Sequence, residues 1–312
     1  MSKYRSNLPQ LSGRLCLTDG GLETTMVFGK GVELPCFAAF TMLRSEAGRA
    51  TLREYYETYA RLAVAQGLAY QLSTATWRAS ADWAAELSIP LDELDRLNRE
   101  AVRLCETVRA EHETEASPMP IAGELGPRGD GYTPTRRMNV EQARDYHAAQ
   151  ISVFADSAAD LISVLTLNYV EEAIGIAKAA TAAGMPCVVG FTVETDGRLP
   201  DGARLSEAIE RTDAETNGAP AYYMINCAHP THFDHVLDDG TWLKRVKGLR
   251  ANASCLSHAE LDAATELDAG DPIELGTQYR QLRDRLSELR VVGGCCGTDH
   301  RHVAEIAKAM AA

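Results

Sequence analysis

The sequence has no basic block, no long apolar run and no regular cysteine ladder. Its formal net charge is -13, so it offers no cationic face to a phosphate backbone or an anionic bilayer. No stretch approaches the ~20 consecutive apolar residues that span a membrane, and Met1 to Gln10 lacks the charged-then-apolar pattern of a secretory leader. These absences predict a cytoplasmic protein with small-molecule partners, no nucleic acid and no membrane. Its eight cysteines lack the spacing of a disulfide framework, so reduced thiols are expected. Of these, Cys16, Cys36, Cys105, Cys187 and Cys255 read as small buried hydrophobes. Phosphate-loop signatures are missing too: no Gly-x-Gly-x-x-Gly opens a helix and no Gly-Lys-Ser/Thr closes a loop, which counts against an open dinucleotide-binding sheet.

What is present is a repeated strand-then-helix alternation. Leu15-Cys16-Leu17-Thr18 is a short apolar run that exits at Asp19-Gly20-Gly21. Helical spacing then runs from the N-cap Ser45 to Gly67. Further apolar runs at Leu68–Leu72, Ile121–Glu124, Leu161–Leu165, Cys187–Val193, Tyr222–Asn226, Val246–Leu249 and Val291–Val292 read as strands. Helical stretches lie at Leu91–Glu113, after Asn139, at Val170–Ala183, at Leu205–Thr216 and at Asp299–Met310, while units six and seven are the least periodic. With no composition break over 312 residues, eight such units predict one parallel α/β domain closed as a (β/α)8 TIM barrel. The loop Gly126 to Tyr132 is the longest and the richest in turn formers and polar groups, as a loop over an active site is.

In such a barrel, chemistry sits where strands end. Val291-Val292-Gly293-Gly294-Cys295-Cys296-Gly297-Thr298 places two adjacent thiols at a strand exit between glycines that let the backbone bend. Adjacent cysteines suit a shared metal ion better than an ordinary disulfide. Cys227, in Ile225-Asn226-Cys227-Ala228-His229-Pro230, ends another strand and supplies a third sulfur. Three thiolates with one vacant position describe a catalytic Zn2+ rather than a structural one.

Asn226-Cys227 followed by His-Pro, together with Gly293-Gly294-Cys295-Cys296-Gly297-Thr298, resembles the zinc-dependent homocysteine S-methyltransferase family. The resemblance extends to Asp19-Gly20-Gly21-Leu22-Glu23-Thr24 near the start, to Phe191-Thr192-Val193 with Asp196 to Leu199, and to Ala251-Asn252-Ala253. It implies the same barrel, Cys227, Cys295 and Cys296 as zinc ligands, homocysteine as acceptor and methionine as product. It also implies that Asp19 and Gly20 hold the substrate ammonium region and that Asn226 shapes the site. The chain ends soon after the last helix, so no cobalamin or folate module and no extension of the betaine-using relatives is expected. S-Methylmethionine or S-adenosylmethionine then becomes the donor.

One departure stands out. Family members carry Glu-Thr where this chain has Leu165-Thr166, and a small residue where it has Glu124. The expectation is that the carboxylate has moved one strand over and that Glu124 binds the acceptor ammonium; a solvent-facing loop glutamate is the alternative. A different thiol or selenol acceptor, or a noncatalytic zinc-binding or redox-sensing barrel, would retain the cysteines. His229, His232 and His235 read as surface or capping groups rather than ligands, and Trp77 and Tyr132 as rim or core packing that could also face a sulfonium donor.

Overall fold

The long helices begin and end at local chain signals. In this computed structural model, which describes residues 1–237 and 240–311, α1 (Glu46–Gln66) starts where Ser45 accepts the Gly48 N–H, and it stops at Gly67. Gly67 has φ of 64°, a left-handed conformation that costs glycine nothing. α2 (Leu91–His112) follows Pro90. α3 (Val140–Ala155) opens with a capping box between Asn139 and Gln142. α4 (Val170–Ala182), α5 (Leu205–Thr216), α6 (Pro272–Arg285) and α7 (His300–Ala311) complete the long helices among the described residues.

The strands are β1 (Cys16–Leu17), β2 (Ala69–Tyr70), β3 (Leu72–Ser73), β4 (Ile121–Leu125), β5 (Leu161–Leu167), β6 (Cys187–Phe191), β7 (Pro220–Asn226), β8 (Val246–Ala251) and β9 (Val291–Gly294). They form one sheet in the order β2-β1-β9-β8-β7-β6-β5-β4-β3, every pair parallel. β2 and β3 are halves of a single extended run broken at Gln71. The Gln71 N–H donates to Leu17 O (2.8 Å) on one side and the Leu72 N–H to Pro120 O (2.9 Å) on the other. The sheet therefore returns on itself, and the nine segments make the eight staves of the expected (β/α)8 barrel.

β5 and β6 are buried along their whole length, as strands covered by helices outside and side chains inside must be. An inner cluster that includes Cys16, Ala69, Ala122, Leu161, Val188, Tyr222 and Val291 fills the barrel, and Leu8 joins it from the N-terminal segment. A larger cluster seals the helices onto the sheet. Between β7 and β8 the described residues hold only the short helix Pro230–Phe233 and 3-10 turns, which is why periodicity faded there. The cysteine reading needs one correction. Cys16, Cys105 and Cys187 are buried, but Cys36 is half-buried and Cys255 exposed, because both lie in connections at the loop end of the barrel rather than in its walls. No described helix is long and apolar enough to cross a membrane.

Candidate metal and substrate site

Three chain segments meet at the loop end of the barrel. β9 delivers Cys295 and Cys296: the Gly294 N–H donates to Asp19 O (2.9 Å), the Cys295 N–H to Ala251 O (2.8 Å), and the Thr298 N–H and hydroxyl both return to Cys295 O (3.1 and 2.7 Å). The Asp-Gly motif packs directly on this turn. A Cβ on Gly21 would lie 2.6 Å from Cys295 O, so only glycine allows the approach. β7 delivers Cys227 in a left-handed conformation, φ 56°, unusual for a residue with a side chain. Its N–H bonds Arg250 O (3.0 Å), and its carbonyl accepts from Thr192 Oγ1 (3.2 Å) and His258 Nε2 (2.7 Å).

The result brings the Sγ atoms of Cys227, Cys295 and Cys296 within 4.8 Å of one another. Cys227 and Cys296 are 3.6 Å apart, well beyond a disulfide bond and near the ~3.8 Å separation of two thiolates on one tetrahedral zinc with ~2.3 Å bonds. The donor set thus fits a soft divalent metal ion. Hydrogen bonds from Cys227 and Cys296 hold the Cys295 thiol well below its ordinary pKa, whereas hydrogen bonding to Cys295, then to Cys296, pushes Cys227 well above. One proton leaves such a trio easily; the others leave only if a cation offsets the accumulating charge.

Beside the sulfurs lies a second, ionic cluster. Arg250, on β8, donates through Nη2 to Asp19 Oδ1 (2.6 Å) and Gly20 O (3.3 Å), through Nε to Gly294 O (3.1 Å), and loosely through Nη1 to Glu124 Oε2 (3.5 Å). Tyr55 donates to Asp19 Oδ2 (3.2 Å). Glu124 therefore projects from β4 into the cavity, with a side chain 13% exposed, and is not a solvent-facing loop residue. Burial pushes its carboxyl well above the usual range despite the lowering pull of Arg250, and burial likewise raises Asp19. Glu23, also lining the cavity, is pushed up to about 7 by burial. Leu165 fills the position next to Thr166 with an apolar wall.

Loops close the mouth. Tyr132, from the segment expected to cover the site, places its hydroxyl 3.0 Å from Cys227 Sγ and 3.8 Å from Cys296 Sγ. Its ring stacks on His258 at 3.9 Å, and His258 is anchored by Glu194 Oε1 (2.9 Å). Trp77 and Arg78 line the same cavity of about 400 Å³. Asn226 is placed differently from the other expected residues. Its amide is committed to Thr166, accepting from the backbone N–H and donating to Oγ1, both at 2.9 Å, and it does not line the cavity. His229 caps Pro230–Phe233, His232 bonds Cys255 O and His235 pairs with Asp234; none joins the sulfurs. Arg250 and His258 escaped the sequence reading. Arg250 carried a signal, a lone charge at a strand exit directly before Ala251-Asn252-Ala253, but His258 lies in an irregular connection with none.

A parallel barrel whose strand exits gather three thiols, able to hold a metal ion, and a buried carboxylate–guanidinium cluster over one cavity has the architecture of a TIM-barrel enzyme. Residues 16–310 match the family described as homocysteine S-methyltransferase, and the chain belongs to that family. Over 210 residues it is 29% identical to methionine synthase of Mycobacterium tuberculosis, and over 207 residues 27% identical to that of Mycobacterium leprae; each match covers 61% of this chain but only 16% of the relative. Its fold is similar to the homocysteine methyltransferase MmuM of Escherichia coli. The oxidised form gives a TM-score of 0.73 at 20% identity over 94% of both chains, and the metallated form 0.73 at 19% identity over 96% of this chain and 99% of that one.

Proposed function

We propose that this protein transfers a methyl group from a sulfonium donor, S-methylmethionine or S-adenosylmethionine, to the thiol of homocysteine, with Cys227, Cys295 and Cys296 holding Zn2+. The observation that carries the reading is the convergence of three sulfurs from two distant strand ends beside a carboxylate-lined cavity. Bound zinc would favour the thiolate of an incoming thiol near neutral pH, where a free thiol is mostly protonated. The chain's own residues supply position. Asp19, Gly20 and Glu124 face the acceptor head group, Leu165 packs its methylenes, and Asn226 fixes Thr166 beneath it. In the reaction the acceptor thiol proton goes to solvent, a sulfur lone pair forms the new S–CH3 bond, and the electrons of the breaking bond leave on the donor as a neutral thioether. The donor therefore enters as a cation. Among the described residues, seven carboxyl groups but only two guanidiniums line the cavity, and Trp77 and Tyr132 offer aromatic faces, a setting that favours a sulfonium.

The test is direct. Zinc-reconstituted protein incubated with homocysteine and each sulfonium donor in turn is expected to yield methionine, and zinc-edge absorption is expected to gain one sulfur neighbour when homocysteine is added. A zinc shell of four protein ligands unaffected by homocysteine, with no methionine formed, overturns the reading.

A further inference from the structure

We propose that Arg250 and Glu124 together form a receptor for a zwitterionic α-amino acid, the guanidinium taking the carboxylate of the thiol acceptor and Glu124 taking its ammonium. This rests on the reading above, that a thiol is the acceptor, and it adds Arg250 as a determinant of which thiol is chosen.

The three nitrogens of Arg250 are used unequally. Nη2 is held at 2.6 Å by Asp19 and Nε at 3.1 Å by the Gly294 carbonyl, but Nη1 has only Glu124 Oε2, at 3.5 Å. Strong guanidinium–carboxylate bonds are ~2.7–2.9 Å long, so Nη1 keeps donor capacity in reserve. Glu124 is in the same condition: among the described residues its side chain has no hydrogen-bond partner except that distant Nη1. The two side chains are 5% and 13% exposed and both line the cavity, so a ligand ion reaching them is weakly screened. Each is also braced, Arg250 by Asp19 and Gly294 and the Glu124 backbone by Thr74 Oγ1 (2.9 Å), so little ordering remains to be done on binding.

A guanidinium and a carboxyl group held 3.5 Å apart match a ligand that carries the complementary groups on one carbon, its ammonium favouring the charged form of Glu124. An α-amino acid replaces one long ion pair with two short ones and brings no net charge into a buried site. A neutral thiol or a simple amine cannot do this. The receptor also lies where an amino-acid thiol of modest length needs it, because Arg250 Nε is bonded to the carbonyl of the residue directly before Cys295. The apolar Leu165 wall supplies no carboxylate from β5, and both oxygens of Asp19 are engaged by Arg250 and Tyr55, so Glu124, loosely bonded beside Arg250, is the ammonium partner.

The experiment is calorimetric titration of the zinc-reconstituted protein with homocysteine, with 3-aminopropane-1-thiol, which lacks the carboxylate, and with 4-sulfanylbutanoate, which lacks the ammonium. Each truncation is expected to weaken binding about 10- to 100-fold, the loss of one charge-assisted contact. In Arg250→Gln the preference for homocysteine over the aminothiol is expected to vanish while the preference over 4-sulfanylbutanoate persists; Glu124→Gln should show the reverse, and Arg250→Lys should restore part of the carboxylate preference. If the unaltered protein binds the aminothiol as tightly as homocysteine, the receptor is overturned without recourse to any variant. A uniform loss for all three ligands in Arg250→Gln also overturns it, leaving Arg250 a structural counter-ion. Selective homocysteine binding with no methionine formed from any sulfonium donor supports the receptor and removes only the reaction proposed above.

Discussion

Each thiol in this chain is set by what surrounds it. Burial pushes Cys16 and Cys187 up to about 12, the behaviour of inert core residues. Cys295 is drawn the other way by hydrogen bonds from Cys227 and Cys296. A depressed pKa means that thiolate is already present at a pH where an ordinary thiol is protonated. On metal-free protein at pH 6, alkylation followed by peptide mapping is therefore expected to modify Cys295 ahead of the more exposed Cys255, with Cys16 and Cys187 protected until unfolding. Faster labelling of Cys255 would contradict the hydrogen-bonded trio. The three site cysteines were legible in the sequence because glycines, apolar runs and a strand exit all mark them locally. Arg250 was not read, because its meaning depends on Asp19, 231 positions away in the chain, and no periodicity encodes that pairing.

At the scale of elements, β5, β6 and β7 act as one unit under the mouth. Asn226 on β7 reaches across β6 to hold Thr166, the residue of β5 with φ 64°. It can do so only because β6 carries Gly190 there: a Cβ would stand 2.7 Å from Asn226 Oδ1 and 2.8 Å from Val164 O. Gly190→Ala is expected to destabilise the protein by about 1–3 kcal/mol through overpacking against groups that cannot move apart, read as a lower urea midpoint. Because Asn226 directly precedes Cys227, weaker zinc retention should accompany it. Unchanged stability would mean that the strands slide apart freely. Most element boundaries could be read from caps and glycines, as at Ser45, Gly67 and Asn139. The connection from β7 to β8 could not, since a four-residue helix and 3-10 turns carry too few turns to produce a helical period.

Across the whole molecule, a metal ion held by Cys227, Cys295 and Cys296 would tie together parts of the chain that the barrel alone only brings near. Cys227 follows β7 and Cys295–Cys296 follow β9, with β8 lying between them in the sheet. A shared ion would pin both exits over that intervening strand, and Arg250 on β8 would be clamped beneath. An ion that binds the folded chain and not the unfolded one stabilises it by mass action, about 2.7 kcal/mol at a free concentration 100 times Kd. Removing zinc with a chelator is therefore expected to lower Tm by several degrees, and adding it back should restore the loss. Cys296→Ser should abolish most of this metal-dependent shift while leaving the metal-free Tm nearly unchanged, because a serine fits the half-buried Cys296 position without leaving a void. If the metal-dependent shift survived in Cys296→Ser, the stabilising ion would be bound elsewhere and the trio would not be its site.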